Sequence, residues 1–313
     1  MEVIWMMWEL VGAVVGAGLA SGREIASFFA QYGYWGYAGI LISGLTIGFL
    51  GTIQHPIQWR YRWMKGLWGC LLTAMLIVTG GAMLSGAGEI GAMFLPFRGA
   101  SWIGQLLTLS LSWLLAQKSI SGFAMLCKIM MIVLGAMIIS VLFSPVKNGC
   151  VVSLKPAPAS LLSGMMYGGF NAALQVPILE GKHGSTGSGH HIWRACIVCC
   201  VLLALGTTIF LRQPLLLSEP MPFLAAVRSW GITGYWLFGI SLYLAILSTL
   251  TACMKGLKGY FAVVSIFLVA QMGFTGVVEY LYPLLGTCCF AMLVCAKFLK
   301  SGSSPFHSMD DVI

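Results

Sequence analysis

The chain has 313 residues, of which 59% are hydrophobic and only 8% are charged, with a formal net charge of +8. Because soluble domains carry about 25% charged residues, this composition excludes an ordinary soluble enzyme, a nucleic-acid-binding protein and a disordered chain. The 39 glycines fit helices that pack closely in lipid. We therefore expect an all-α integral membrane protein whose basic residues lie mainly in cytoplasmic loops.

The first half of the chain holds five candidate membrane spans, since a spanning helix needs about 20 mostly apolar residues. The first candidate is too long for one span and is interrupted from Gly16 to Glu24. The five run approximately from Val3 to Tyr32, Trp35 to Ile53, Leu67 to Ile90, Trp102 to Gln117, and Ser119 to Phe143.

A proline-containing linker near residues 145–158 precedes five further candidates. The sixth span is interrupted at Tyr167 to Asn171, and the ninth is short, so nine spans stays an alternative to ten. We expect one transmembrane domain with a first repeat at 1–145, a second repeat at 158–300 and a polar tail at 301–313. The five candidates are Ser160 to Leu179, Ile192 to Leu211, Ile232 to Met254, Tyr260 to Met272, and Val277 to Phe298.

Lysine and arginine residues set the expected orientation, because cytoplasmic loops are enriched in them. Placing the N-terminus inside puts most of the 17 basic residues on the cytoplasmic side. An even number of spans then returns the C-terminus to the cytoplasm.

The interruptions of the first and sixth spans fall at corresponding positions if the chain is five spans followed by five. Because five is odd, the second half enters the membrane from the opposite side, which makes the halves inverted repeats. In that architecture discontinuous helices carry a midplane substrate site, where freed backbone groups must be buried or face a wet cavity. The N–H groups at a half-helix N-terminus favour a carboxylate, while freed carbonyl groups favour a cation. The alternative is close helix packing, because Gly12/Gly16 and Gly18/Gly22 are Gly-x-x-x-Gly pairs.

The residues at the two interruptions are the candidate substrate ligands. Ser21 and Asn171 could hydrogen-bond a small zwitterion, or instead cap their own half-helices. Tyr167 could stack over or gate the pocket, or simply pack between helices. The full predicted set is Gly16, Gly18, Ala20, Ser21, Gly22, Tyr167, Gly168, Gly169 and Asn171.

The run VGAGLASGREI, from Val15 to Ile25, resembles the first-helix signature of the YkvI-like family of bacterial membrane proteins. That family resembles the amino acid–polyamine–organocation transporter superfamily, so the resemblance implies the five-plus-five inverted-repeat fold of leucine transporters and a location in the bacterial cytoplasmic membrane. Leu19 and Arg23 depart from the pattern, since family members more often have Phe and Gln there. Weaker matches are GGFN at Gly168 to Asn171, LAILST at Leu244 to Thr249, and YPLLG at Tyr282 to Gly286.

Three residues are candidates for ion coupling. In sodium-coupled relatives, two hydroxyls at the positions of Ser248 and Thr249 form a cation site with first-helix carbonyls; the alternative is a hydroxyl bonded to its own helix backbone. Lys128 in span five could take a cation's place and exchange a proton, or extend its ammonium to the interface. No cofactor is expected beyond Na⁺ or H⁺ as a coupling ion.

Other charged residues in or near the spans are further candidates, because intramembrane carboxylates are often functional. Arg23 and Glu24 are adjacent and could form an extracellular gate pair, or be solvated charges at a helix start. No metal site is expected among the loop histidines. These remaining candidates are Glu9, Glu89, Glu279, His183, His190 and His191.

Together these features favour a secondary active transporter that binds an amino acid or related amine between helices one and six and moves it by alternating access. The alternative is a receptor or sensor that binds a small molecule on the same fold without transporting it. An enzyme is not expected, because no His/Glu metal motif, Ser/His/Asp set or paired-carboxylate site is evident. The expected partners are the small solute and the lipid bilayer, not nucleic acid, and the oligomeric state is open.

Overall fold

The computed structural model describes most of the chain, and every regular element in the described part is a helix. The described residues are 16–53, 57, 59, 61–95, 97–117, 132–133, 135–136, 138–143, 157–180, 188–257 and 259–298.

The first described elements are two short helices separated by one glycine. Helix α1 covers Ala17–Ser21 and helix α2 covers Arg23–Phe28, while Gly22 between them has φ 85° and ψ −9°. A 3-10 segment at Ala30–Trp35 then leads to α3, Gly36–Gly51. The predicted interruption of the first helix is therefore confirmed, at Gly22.

Long helices form most of the remaining structure. Two short 3-10 helices, Pro214–Ser218 and Arg228–Trp230, flank the helix Pro222–Val227, and a π-helical turn at Val277–Leu281 leads into the helix Tyr282–Phe298. After α3, the described chain contains the one-turn helix Phe274–Gly276 and the longer helices α4 (Arg62–Phe94), α5 (Ala100–Gln117), α6 (Ala157–Glu180), α7 (Ser188–Arg212), α8 (Pro222–Val227), α9 (Ile232–Gly256), α10 (Tyr260–Ala270) and α11 (Tyr282–Phe298).

Five segments of the described chain are long and apolar enough to cross a membrane. Many large apolar side chains on these and neighbouring helices are exposed, Leu41 and Leu268 among them, as lipid-facing surfaces require. The predicted all-α membrane class is thus confirmed, whereas ten spans and the inverted repeat stay predictions. The five segments are Ala30–Gly51, Arg62–Phe94, Ile192–Arg212, Ile232–Gly256 and Phe274–Phe298.

Helix α6 packs between α3 and α11. A Cβ on Gly168 would lie 2.6 Å from the Cβ of Thr46 in α3, and a Cβ on Gly169 would lie 2.6 Å from the carbonyl oxygen of Gly286 in α11. The two glycines therefore let the helix backbones approach closely on both sides. Because protein covers both faces, α6 can carry buried polar residues such as Asn171 and Gln175.

The predicted interruption of the sixth helix at Tyr167 to Asn171 is wrong. Helix α6 is continuous from Ala157 to Glu180. Gly168 and Gly169 serve the close packing described above, which was the alternative open from the sequence, and packing against two helices holds the segment in helical geometry.

Candidate functional site

The break between α1 and α2 is closed by both local and distant contacts. The Gly22 N–H donates to the carbonyl of Leu19 (3.0 Å), and its own carbonyl accepts from the N–H of Ala26 (3.0 Å). A Cβ on Gly22 would lie 3.1 Å from the ring of Phe223 in α8, which is completely buried. Since the left-handed backbone also favours glycine, both the local conformation and the covering helix favour glycine here.

The Ser21 side chain spans this break. Its Oγ donates to the carbonyl of Gly18 (2.7 Å) and accepts from the N–H of Arg23 (3.2 Å). The side chain is completely buried. Ser21 therefore bonds to backbone groups on both sides of the break, which agrees with the self-bonding alternative for this residue, and a contact between Ser21 and a solute stays a prediction.

Arg23, the first residue of α2, pairs with a carboxylate from the other half of the chain. Its guanidinium forms an ion pair with Glu279 in the π-helical turn before α11. It also donates to the carbonyls of Leu217 (3.0 Å) and Glu219 (3.2 Å). Arg23 is thus not paired with its neighbour Glu24, the pairing considered from the sequence, and it joins α2 to two distant segments.

Glu24 projects away from this pairing, back across the break. Its Oε1 lies over Gly18, where a Cβ would overlap it and would lie 2.6 Å from the carboxyl carbon. Its Oε2 accepts a hydrogen bond from the Tyr167 hydroxyl (3.3 Å). Glu24 is only 7% exposed, and no Lys, Arg or His nitrogen of the described residues lies within 4.0 Å of its carboxylate.

Tyr167 forms the α6 side of this site. Its ring packs against the rings of Phe28 and Phe29, each with its centroid 5.1 Å away, and the residue is 1% exposed. Asn171 lies one turn further along α6 and donates from its side-chain nitrogen to the carbonyl of Tyr167 (2.9 Å). The side-chain nitrogen of Asn171 therefore has a partner on its own helix, and a contact between Asn171 and a solute stays a prediction.

The structure brings only part of the predicted substrate set to one place. Gly18 and Tyr167 both contact the Glu24 carboxyl, whereas Gly168 and Gly169 face α3 and α11. Ala20 is buried and donates its N–H to the carbonyl of Gly16 (3.1 Å), the extended residue just before α1. Sequence reasoning treated Glu24 as a gate residue or as a solvated charge at a helix start, although a carboxylate within an apolar span was the signal that could have placed it in the site.

Two of the three candidate coupling residues, Ser248 and Thr249, lie on α9, and the third is outside the described residues. Ser248 and Thr249 both donate to the carbonyl of Ala245, at 2.8 and 3.0 Å. Their helix packs against α1, the half-helix before the break. Lys128 lies outside the described residues, so its role stays a prediction.

The other polar candidates do not gather at the break. His190 is exposed at the start of α7, and Glu89 is partly buried on α4. Within the described ranges, no three His, Cys, Asp or Glu residues are placed to hold a metal ion. The candidates outside the description are Glu9, His183 and the side chain of His191.

The segment between α7 and α9 is a structural feature that the sequence analysis passed over. Its helices begin at Pro214 and Pro222, as proline in the first turn favours. Met221, Phe223 and Leu224 are completely buried. The apolar runs directly after each proline were the available signal, and their burial places this segment over the break.

No protein-family model matches the chain. A curated protein described as "Uncharacterized membrane protein YkvI", from Bacillus subtilis (strain 168), is 26% identical over 92% of this chain and 94% of its own length. This chain is a helical, multi-pass membrane protein, and its likeness to YkvI along almost its whole length supports a YkvI-like membrane protein family.

Proposed function

We propose that the protein is a secondary active transporter of a small solute, an amino acid or a related amine, which moves by alternating access with Na⁺ or H⁺ coupling. The observation that carries the proposal is the break at Gly22, with the buried carboxyl of Glu24 beside it and facing α6. A broken helix inside a membrane protein is tolerated where it is buried in protein or lines a cavity. Buried intramembrane carboxylates commonly mark a solute or ion pathway.

The Arg23 pairing supports a moving part next to the site. Arg23 is buried, while its partner Glu279 is 39% exposed and lies in a π-helical turn, a feature that is frequent at functional sites. The same guanidinium holds the carbonyls of Leu217 and Glu219. A path that reached the break from the side of Glu279 would have to separate Arg23 from Glu279 and from the two carbonyls. In the proposal, Arg23 and these partners therefore form a gate.

Ion coupling has two candidate locations in the proposal. Ser248 and Thr249 each donate to one backbone carbonyl, which leaves hydroxyl lone pairs available for a cation. Lys128 is the alternative coupling residue, through proton exchange. If the double variant Ser248→Ala, Thr249→Val loses the sodium requirement of uptake, the cation site at these hydroxyls is supported. If Lys128→Gln loses coupling to the proton gradient, proton exchange at Lys128 is supported.

The deciding experiment is flux. The full-length protein is reconstituted in liposomes, and uptake of labelled amino acids and amines is measured under a sodium gradient, under a proton gradient and under neither. Gradient-driven, saturable uptake that empty liposomes lack is the expected result. Solute binding without uptake would instead identify the non-transporting receptor.

We also propose the bacterial cytoplasmic membrane as the location, with both termini in the cytoplasm and no catalytic activity. The excess of Lys and Arg in the loops assigned to the cytoplasm supports this orientation. Reporter fusions at each terminus test it: a signal from a periplasm-specific reporter at either end would refute it.

A further inference from the structure

An apolar groove lies on the outside of the helix bundle where α4, α5 and α9 meet. It has a volume of about 240 Å³, and its walls are apolar side chains, glycines and Tyr243, whose hydroxyl is bonded to Thr108 (3.1 Å). Leu107 and Ile240 line the groove and are 57% and 50% exposed, so it opens toward lipid. Because lipid tails are as apolar as these side chains, the walls suit an acyl chain.

The length of the groove fits one leaflet of a bilayer. It continues as a shallow depression along α5 from Ile103 to Leu114, over which an α-helix rises about 16 Å. One leaflet contributes about 15 Å to the hydrocarbon core, half of its thickness of about 30 Å. Trp102, at the start of α5, is 53% exposed, as is typical of aromatic residues at the membrane–water interface. A single acyl chain can therefore run along α5 from a headgroup near Trp102.

Two arginines lie at the interfacial end of this groove. Arg98 is exposed in the turn between α4 and α5, shortly after the groove residue Leu95. Arg228 is exposed just before α9 and within electrostatic range of Tyr235, whose ring stacks on Phe94 in the groove wall, with centroids 4.7 Å apart. No Asp or Glu oxygen of the described residues lies within 4.0 Å of either guanidinium. Guanidinium groups bind phosphate through paired hydrogen bonds as well as charge.

We propose that this groove binds one anionic phospholipid, with an acyl chain along α5 and its phosphate at Arg98 and Arg228. Basic sites between membrane helices recognise anionic headgroups in this way. A zwitterionic lipid binds more weakly, because the cation of its headgroup offsets the attraction of its phosphate to the two arginines. The site uses other residues than the break in the first helix, and the inference does not depend on transport.

The test compares two lipids with identical oleoyl chains on the purified, delipidated full-length protein in one detergent. Phosphatidylglycerol carries a net negative charge, whereas phosphatidylcholine is zwitterionic. We expect native mass spectrometry to show one retained phosphatidylglycerol per chain. We also expect this lipid to raise the unfolding midpoint in a saturable way, at a lower concentration than phosphatidylcholine does. Equal retention and equal stabilisation by the two lipids would overturn the inference, because they indicate ordinary boundary lipid.

The double variant Arg98→Gln, Arg228→Gln removes both charges at the end of the groove and keeps polar side chains there. We expect the affinity for phosphatidylglycerol to fall at least about tenfold, because hydrogen bonds between charged groups are lost. The matched control is Arg62→Gln with Lys65→Gln, which removes two exposed cations at the far end of α4 and should leave that affinity unchanged. An unchanged affinity in the Arg98 and Arg228 variant would refute the assignment.

A second pair of variants tests the acyl-chain part of the site. Ile240→Trp puts a larger side chain into the groove and should weaken phosphatidylglycerol binding with both arginines intact. Leu284→Trp, at an exposed position of α11 outside the groove wall, should leave binding unchanged. Equal lipid affinity in the two variants would contradict a chain in the groove.

Two results would assign the groove to another occupant and overturn the inference. An equal rise of the unfolding midpoint with inorganic phosphate would identify a site for a free anion. A dimer in light scattering that retains no lipid, and that Ile240→Trp dissociates, would identify a second copy of the chain as the occupant.

Discussion

Replacing Gly22 by alanine tests whether the break in the first helix depends on this one residue. A left-handed backbone costs a residue with a Cβ about 1–2 kcal/mol, and Gly22 has φ 85°. The added Cβ would lie 3.1 Å from the buried Phe223 ring, which would have to shift by a few tenths of an ångström. Overpacking of that kind adds about 1 kcal/mol, the lower end of its usual range. We therefore expect a loss of about 2–3 kcal/mol.

The assay is thermal unfolding of the purified protein in one detergent. At about 2 °C per kcal/mol, the low end of the scale for large domains, Gly22→Ala should lower the midpoint by about 4–6 °C. Gly99→Ala is the control, because Gly99 has φ 93° but no described atom within 4 Å of its Cβ position. It should show the backbone cost alone.

A double-mutant cycle with Phe223→Leu isolates the steric part, since only residues in contact show a coupling energy. The smaller side chain should relieve the overlap in Gly22→Ala. If Gly22→Ala loses no more stability than Gly99→Ala and shows no coupling with Phe223→Leu, α8 does not press on the break and the reasoning fails.

Other contacts give predictions that the same unfolding assay checks. Glu279→Gln should change the free energy of unfolding by less than about 1 kcal/mol, because a partly exposed ion pair is screened by water. Arg23→Ala should lower it by about 1–3 kcal/mol, because the carbonyls of Leu217 and Glu219 lose their donor. Equal losses in the two variants would contradict the different roles of the two side chains. Gly286→Ala should lose about 1–3 kcal/mol or fail to fold, because its Cβ would overlap the carbonyl of Met166. Gly69 is exposed on α4, and no described atom beyond its own helix backbone lies within 4 Å of its Cβ position. Gly69→Ala should therefore raise the free energy of unfolding by about 0.5–1 kcal/mol. A loss of stability there would refute the use of these Cβ distances to separate packed from open glycines.

The long helices follow directly from the sequence, because about 20 consecutive apolar residues have few other stable forms in lipid. The span predicted from Ile232 to Met254, for example, is the helix Ile232–Gly256. Helix α6 was also predicted as a span, yet it is not among the five apolar segments, and its Asn171 and Gln175 are covered by protein. Composition therefore locates helices well but does not say which ones face lipid.

Glycine pairs were the ambiguous signal, because unwinding and close packing use the same residues. At Gly22 the helix is broken: φ is 85°, and the ring of Phe223 covers the residue. At Gly168 and Gly169 the backbones of α3 and α11 lie opposite, and the helix continues. The deciding partners are distant in the chain, so a pattern within a single segment cannot distinguish the two outcomes.

Arg23 and Glu24 are adjacent on one short helix and contact different parts of the fold. Neighbours in an α-helix point about 100° apart and do not face each other, so these opposite charges take separate partners. Arg23 holds α2 to Glu279, while Glu24 places a carboxyl over Gly18. Both side chains belong to one helix of only six residues. In the proposed transporter, a movement of α2 that opens the break would therefore separate Arg23 from Glu279 and Glu24 from Tyr167 together.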